Sequence, residues 1–237
     1  MPDRRNPVLE SVRRALEARG GAGRDPAAVE RRLADRPKGP VPRRGQLPPA
    51  ERVALFQKMA MEAGTTITGL SSPAAIPAAV ADFLAKENLP AEVRLAPDPL
   101  LTALPWSDRP LLTVTTGPSD GSHAVSVTVA MAGVAETGTL VLASGPEAPT
   151  TLNLLPDTHV VVLSTSDVVG SYEEIWTALR DRYGVGVMPR TVNFITGPSR
   201  SADIEQKLQM GAHGPRRLHV LLVEAGPGSH VEAAART

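Results

Sequence analysis

The runs at 159–163 (HVVVL) and 218–223 (LHVLLV) do not alternate between apolar and polar residues. A strand with one face in water alternates; one that runs on without alternation is covered on both faces, as in a sheet packed between two layers. The two runs therefore predict a largely parallel sheet with helices on both sides, and the rest of the chain from Pro49 onward agrees. Ala50–Ala63 carries Val53, Leu55, Phe56, Met59 and Ala60 at helical spacing and Gly64 ends it, whereas TTITGL (65–70) is β-branched and reads as a strand. Ser72 with Pro73 begins a helix to about Lys86, although Pro77 falls in its first turns. Strands follow at VRLA (93–96), LLTVTT (111–116), VSVTVA (125–130), TLVLAS (139–144) and VNFIT (192–196), with helices at Ser171–Tyr183 and Ala202–Met210. Some antiparallel pairs are expected where short loops join two strands.

The chain of 237 residues is long enough for one such domain and an appendage. Its formal charge is zero, but residues 1–52 hold 13 Lys and Arg against 7 Asp and Glu, so the first part is basic and the rest acidic. Asn6 and Pro7 start a helix that Gly20 stops, and Asp25-Pro26 start a second that ends before Pro37. The segment Arg36–Pro49, RPKGPVPRRGQLPP, has no apolar period and reads as a linker. Residues 1–48 are thus expected to be a basic helical arm and linker, 49–226 the α/β domain and 227–237 a tail. The arm would bind RNA, dock on an acidic partner or on its own domain, or remain a solvated tail. A chain neutral overall lacks the bulk attraction to phosphate backbones, so nucleic acid is not favoured as a partner. With no cysteine it has no disulfide, no thiolate metal site and no cysteine-ligated iron–sulfur cluster of its own. The N-terminus has no apolar leader core, no stretch is long enough to span a membrane, and a cytoplasmic location is expected.

Ligands in open α/β sheets gather at the carboxyl ends of strands, which directs attention to three loops, Thr115–His123, Gly133–Thr139 and Thr196–Glu205. The third combines Gly197, Ser199 and Arg200 ahead of an expected helix, the layout of an anion site. Asp203 and Glu205 in its first turn would repel a phosphate, and they fit contacts to hydroxyl groups or plain helix capping equally well. Glu136, next to Thr137-Gly138-Thr139, is placed to serve as nucleophile, base or ligand anchor, or to brace its own turn. His213, in the loop Gly211–Arg217 with Gly214 and Pro215, either faces a ligand as acid or base or fixes that loop. His159 and His219 open strands and read as structural, and His230 falls in the tail. No histidine belongs to a metal-ligand spacing, and no Gly-x-Gly-x-x-Gly, phosphate-binding lysine loop or Gly-x-Ser-x-Gly elbow is present.

The segments VAETGTLVLASG (134–145), LNLLPDTHVVVL (152–163) and TGPSRSADIEQKLQMGAHGPRRLHVLLVE (196–224) resemble the LUD domain of the lactate utilization protein C family, over about Ala50–Ala225. The resemblance implies an α/β/α sandwich similar to the NagB/RpiA/CoA-transferase group, preceded here by a helical arm. It also implies a part in oxidising L-lactate to pyruvate with iron–sulfur partner proteins, which suits a chain without cysteine. Its matching positions are Glu136, Thr137, Gly138 and Thr139, then Gly197, Pro198, Ser199, Arg200, Asp203, Glu205, His213, Gly214 and Pro215. Members often carry a polar or acidic residue just before the Glu-Thr-Gly loop, where this chain has Met131. The expected site is one pocket at strand ends: Glu136 and His213 for proton transfer, Arg200 for a small carboxylate, and Thr137, Gly138, Thr139, Gly197, Ser199, Asp203 and Gly214 as further ligand contacts. Two other classes of function remain open on the residues alone. One is an independent enzyme that uses Glu136 on a CoA ester, folate or phosphosugar; the other is a non-catalytic assembly or regulatory subunit.

Overall fold

The computed structural model describes residues 5–18, 25–204 and 207–224. Contacts divide the chain into two units that meet at Pro40 and Val41. The first holds helices α1 (Arg5–Ala18) and α2 (Pro26–Asp35). Helix α2 starts as its sequence dictates: Asp25 accepts a hydrogen bond from the Ala27 N–H at 3.0 Å and Pro26 takes the first position, where no donor is needed. Gly20 lies outside the described residues.

The second unit contains α3 (Pro49–Glu62), β1 (Thr66–Leu70), α4 (Ile76–Lys86), β2 (Glu92–Leu95), α5 (Pro99–Thr102), β3 (Thr113–Thr116), β4 (Val125–Val129), β5 (Ala132–Val134), β6 (Thr139–Ala143) and α6 (Thr151–Leu154). It continues with β7 (Thr158–Ser164), β8 (Val168–Val169), α7 (Tyr172–Tyr183), β9 (Val192–Ile195), β10 (Arg200–Ile204), β11 (Lys207–Met210) and β12 (Arg217–Val223). Part of the proline-rich segment belongs to this unit: Arg43–Gln46 form a 3-10 turn whose Gly45 is buried against the Gly170 backbone. Helix α4 begins at Ile76, after a separate 3-10 turn at Pro73–Ala75, rather than running continuously from Ser72. A proline at position 77 has no N–H to give to the preceding turn, so the helical ladder starts anew there.

Six strands form a fully parallel sheet in the order β1-β12-β7-β4-β2-β3. The two continuous apolar runs lie side by side in its middle, with Leu218 opposite His159 and Leu222 opposite Leu163. Alternate residues serve opposite faces, and both faces are covered. Val160 and Val162 of β7 pack with Ile76, Val80, Phe83 and Leu84 of α4, while Val161 and Leu163 pack with Phe56 and Ala60 of α3 and Leu140 and Leu142 of β6.

The second face differs from the expected layer of helices, because it is covered by α3 together with a second, four-stranded sheet, β8-β5-β6-β9. TLVLAS and VNFIT therefore belong to another sheet than the parallel strands. After β4 the chain turns at Ala130-Met131 into β5, whose Ala132–Val134 pair antiparallel with β6, and β6 pairs antiparallel with β9. A third apolar cluster, including Val134, Val141, Ile175 and Leu179, joins this sheet to α7.

A second correction concerns Ala202–Met210, expected as a helix. The chain there is the antiparallel hairpin β10–β11, with Arg200 opposite Met210 and Ser201 opposite Gln209. Ile204 and Leu208 lie four apart, which suits a helix, but Ala202 and Ile204, and Leu208 and Met210, lie two apart, which suits strands. The base of the hairpin decides the matter: Ser199 N–H donates to Pro215 O at 2.8 Å and Gly211 N–H to Ser199 O at 2.9 Å, and these bonds hold the two ends together. The helix N-terminus expected beyond Arg200 is therefore absent, and Ser199 and Arg200 stand at the base of a hairpin instead.

Candidate functional site

The expected site residues fall into two groups. Glu136, Thr137 and Gly138 form the turn between β5 and β6, and Thr139 is the first residue of β6. Glu136 is buried; its Oε1 accepts from the Tyr172 N–H, at the start of α7, at 3.4 Å. The three hydroxyls of Thr137, Thr139 and Tyr172 lie 2.7 to 3.0 Å from one another, and Thr139 Oγ1 reaches Thr196 Oγ1 at 2.6 Å. Gly138 presses on the backbone of α3 at Met59 and Ala60. This turn braces α3, α7 and the end of β9 against one another.

The second group surrounds a cavity of about 460 Å³ whose lining includes Asn153, His159, Thr196, Gly197, Ser199, Arg200, His213 and Gly214. Five of the expected residues, Gly197, Ser199, Arg200, His213 and Gly214, are thus brought together, and Glu136, Thr137, Gly138 and Thr139 are not among the lining residues. Asp203 is on β10 and Glu205 lies outside the described residues. The Thr139–Thr196 bond links the two groups.

Each wall has a local cause. Gly197 has φ +74°, and a Cβ there would overlap the carbonyl of Ala63 just after α3, so glycine is what lets this loop close on the helix end. Ser199 accepts from the His213 N–H at 3.3 Å, which fixes the loop Gly211–Arg217 against the strand opposite. The guanidinium of Arg200 crosses Gly64 beyond the end of α3; its Cζ lies 3.2 Å from where a Cβ on Gly64 would be. Among the residues whose side chains are described, no carboxylate is within 4.0 Å of it. The His213 side chain is exposed at the mouth.

At the buried end stands His159, fully enclosed at 0% exposure. Its Nε2 is 2.7 Å from Thr128 Oγ1 on β4, and its Nδ1 is buried without a hydrogen-bond partner. Burial lowers its pKa to about 3, so the ring is neutral. The sequence reads His159 as structural, because it opens an apolar strand with no motif around it, and its enclosure and its contact with Thr128 agree with that.

The cavity lies at the amino ends of β7 and β12, since His159 and Leu218 are each the second residue of their strand. The carboxyl ends hold another crevice. Chain order reverses between β2, whose successor β3 lies outward on one side, and β4, whose successor in the sheet, β7, lies on the other. There a cavity of about 330 Å³ is lined by residues including Asp98, Met131, Ser144 and Arg182. The loop Thr115–His123 is tied to α6 and to itself, Ser119 N–H donating to Thr151 Oγ1 at 3.1 Å and Ser119 Oγ lying 3.2 Å from His123 Nδ1. Among the described residues there is no grouping of His, Asp and Glu that would hold a metal, and no helix long and apolar enough to cross a membrane.

Residues 121–223 match the model of the LUD domain family. Similar curated proteins include an uncharacterized protein of Neisseria meningitidis serogroup B, 43% identical over 95 residues that make up 40% of each chain. The lactate utilization protein C of Bacillus subtilis is 37% identical over 100 residues, 42% of each chain, and that of an Exiguobacterium species 40% identical over 101 residues, 42% of this chain and 44% of that one. The matched part spans about two-fifths of the length of these relatives. A crystal structure of a DUF162 family protein from Deinococcus radiodurans aligns with a TM-score of 0.54 at 26% identity, covering 75% of this chain and 99% of that one.

Proposed function

We propose that this chain takes part in the utilization of L-lactate, as a cytoplasmic subunit that holds a small hydroxycarboxylate while iron–sulfur partner proteins take up the electrons. The observation that carries this reading is that the amino-end cavity gathers Gly197, Ser199, Arg200, His213 and Gly214 inside the family match at residues 121–223; the match also includes the lining of the carboxyl-end crevice except Asp98, but none of these five residues lies there. Oxidation of L-lactate to pyruvate releases two electrons and two protons. A chain with no cysteine and no nucleotide-binding glycine motif offers those electrons no thiolate-bound cluster and no recognised dinucleotide cradle, which supports a division of labour between subunits. In this reading Arg200 pairs the carboxylate through a charge-assisted fork, and His213 at the mouth exchanges a proton. Gly197, Ser199 and Gly214 shape the wall around the ligand. The turn Glu136–Thr139 holds that wall in place through the Thr139–Thr196 bond.

Reduction of an artificial electron-accepting dye by the purified chain with L-lactate tests the proposal. The expected result is no turnover by the chain alone and lactate-dependent reduction once the partner proteins are added. Rapid reduction by the isolated chain would refute the division of labour.

A further inference from the structure

We infer that the chain pairs with a second copy of itself through the outer edge of β9 and the adjoining side of α7, about a two-fold axis. The inference does not depend on which ligand the amino-end cavity holds.

The backbone of β9 supplies the first reason. In an antiparallel pair the hydrogen-bonded positions alternate along a strand, and the residues between them point their N–H and C=O the other way. Ser144 N–H donates to Thr191 O at 2.9 Å, and the register then makes Leu142 with Asn193 and Leu140 with Ile195 the bonded positions. Val192 and Phe194 therefore turn their backbone N–H and C=O away from β6. β9 is last in its sheet, and among the described residues these outward groups have no hydrogen-bond partner. A strand edge left open in this way is a template for another strand.

The side chains beside that edge are of the kind that anchors interfaces. Trp176 of α7 is 38% exposed and lies against Phe194 with ring centroids 5.6 Å apart, and Phe194 is itself only half-buried. Large aromatic side chains gain much when covered, which is why they are enriched in interface cores.

The charges of α7 identify the occupant. Glu173, Trp176, Thr177 and Arg180 follow at i, i+3, i+4 and i+7, so they lie along one side of the helix. The stripe is negative at one end, positive at the other and apolar in between, and it is complementary to itself when reversed. A two-fold axis passing between Trp176 and Thr177 sets Glu173 of each copy opposite Arg180 of the other. The same axis, standing across the sheet, runs β9 antiparallel to its mate, where Val192 of one copy and Phe194 of the other exchange their outward hydrogen bonds. The two four-stranded sheets then join into one. Since β9 leads into Thr196 and Gly197, the pairing also braces that wall of the amino-end cavity.

Sedimentation velocity of the full chain at micromolar concentration tests this, and the expected species has twice the mass of one chain. Arg180→Glu, which sets like charges opposite each other, is expected to raise the dissociation constant by about tenfold or more. Combining it with Glu173→Arg restores opposite charges across the axis and returns pairing toward the wild-type level. Val192→Pro removes one outward N–H without touching the bonds to β6, and it too weakens the dimer. In the wild-type chain, amide hydrogen exchange at Val192–Ile195 slows as concentration rises, a readout that needs no variant to fold. A monomeric wild-type chain overturns the inference. So do a dimer that Arg180→Glu and Val192→Pro leave intact, a charge swap that fails to restore pairing, and exchange at β9 that is independent of concentration.

Discussion

Gly138→Ala is expected to lower the stability of the α/β unit by about 3 kcal/mol and its Tm by about 10 °C. Two effects add at this position. Gly138 has φ +67°, which an L side chain adopts only at a cost of about 1 kcal/mol. A Cβ there would also lie only 2.6 Å from Ala60 Cα and Met59 C, and these are helix backbone atoms that do not step aside as a flexible side chain would. Accommodating the methyl means moving α3 off the turn, and Phe56 of α3 is one of the largest fully buried side chains in the molecule. Gly121→Ala serves as the control, because Gly121 has φ +96° but open space around the missing Cβ, so only the backbone strain of about 1 kcal/mol is expected. Urea denaturation of both variants separates strain from overlap. Equal losses would show that the turn and α3 are not in contact.

Acid is expected to destabilise the domain by about 4 kcal/mol between pH 7 and pH 5, through two buried histidines. Burial lowers the pKa of His159 to about 3. Burial, and then the positive charge of Lys86, lower that of His219 to about 4. His219 is stacked on Phe83 with ring centroids 4.0 Å apart, and its Nδ1 is 2.7 Å from Thr66 Oγ1. The unfolded chain takes up a proton on each ring below about pH 6.5, and the folded chain does not until far lower. Their stabilising contribution is therefore complete above pH 6.5 and is lost as pH falls from there toward 4 and 3. At pH 5 the loss is about 2 kcal/mol per histidine. The stability of the wild-type protein, measured in urea across this range, is expected to fall steeply, and His219→Gln is expected to remove about half of the slope. A flat profile from pH 7 to 5 would mean that the imidazoles are accessible to protons in the folded state.

Where local chemistry and tertiary demand agree, the chain could be read directly. Asp25-Pro26 opens α2, Gly64 follows α3, and HVVVL and LHVLLV are the central strands with both faces buried. Where they conflict it could not. The hairpin at Arg200–Met210 and a helix share the same apolar residues, and the choice is made by bonds from Ser199 to Pro215 and Gly211, which no window of sequence contains. β5 is three residues of an apolar stretch continuous with β4, so the change of sheet has no local mark.

The candidate site divides in the same way. The group at Gly197, Ser199, Arg200, His213 and Gly214 was legible because both loops carry glycine, proline and polar residues beside strong strands. Glu136 has the composition of a reactive carboxylate, but its burial and its bond to the start of α7 follow from packing. His159 borders the cavity because β7 and β12 are adjacent in the sheet and residues of β9 line the same space, a relation between residues far apart in sequence. Asp98 and Arg182 come together at the carboxyl-end crevice for an equally nonlocal reason.

The measurement that bears most directly on the account is growth on L-lactate of the native host with this gene deleted, complemented by the wild-type chain or by the variant Arg200→Gln. The wild-type chain should restore growth, and the variant, present at the same level, should not. Full restoration by the variant, or normal growth of the deletion strain itself, would contradict the assignment of this cavity to lactate utilization.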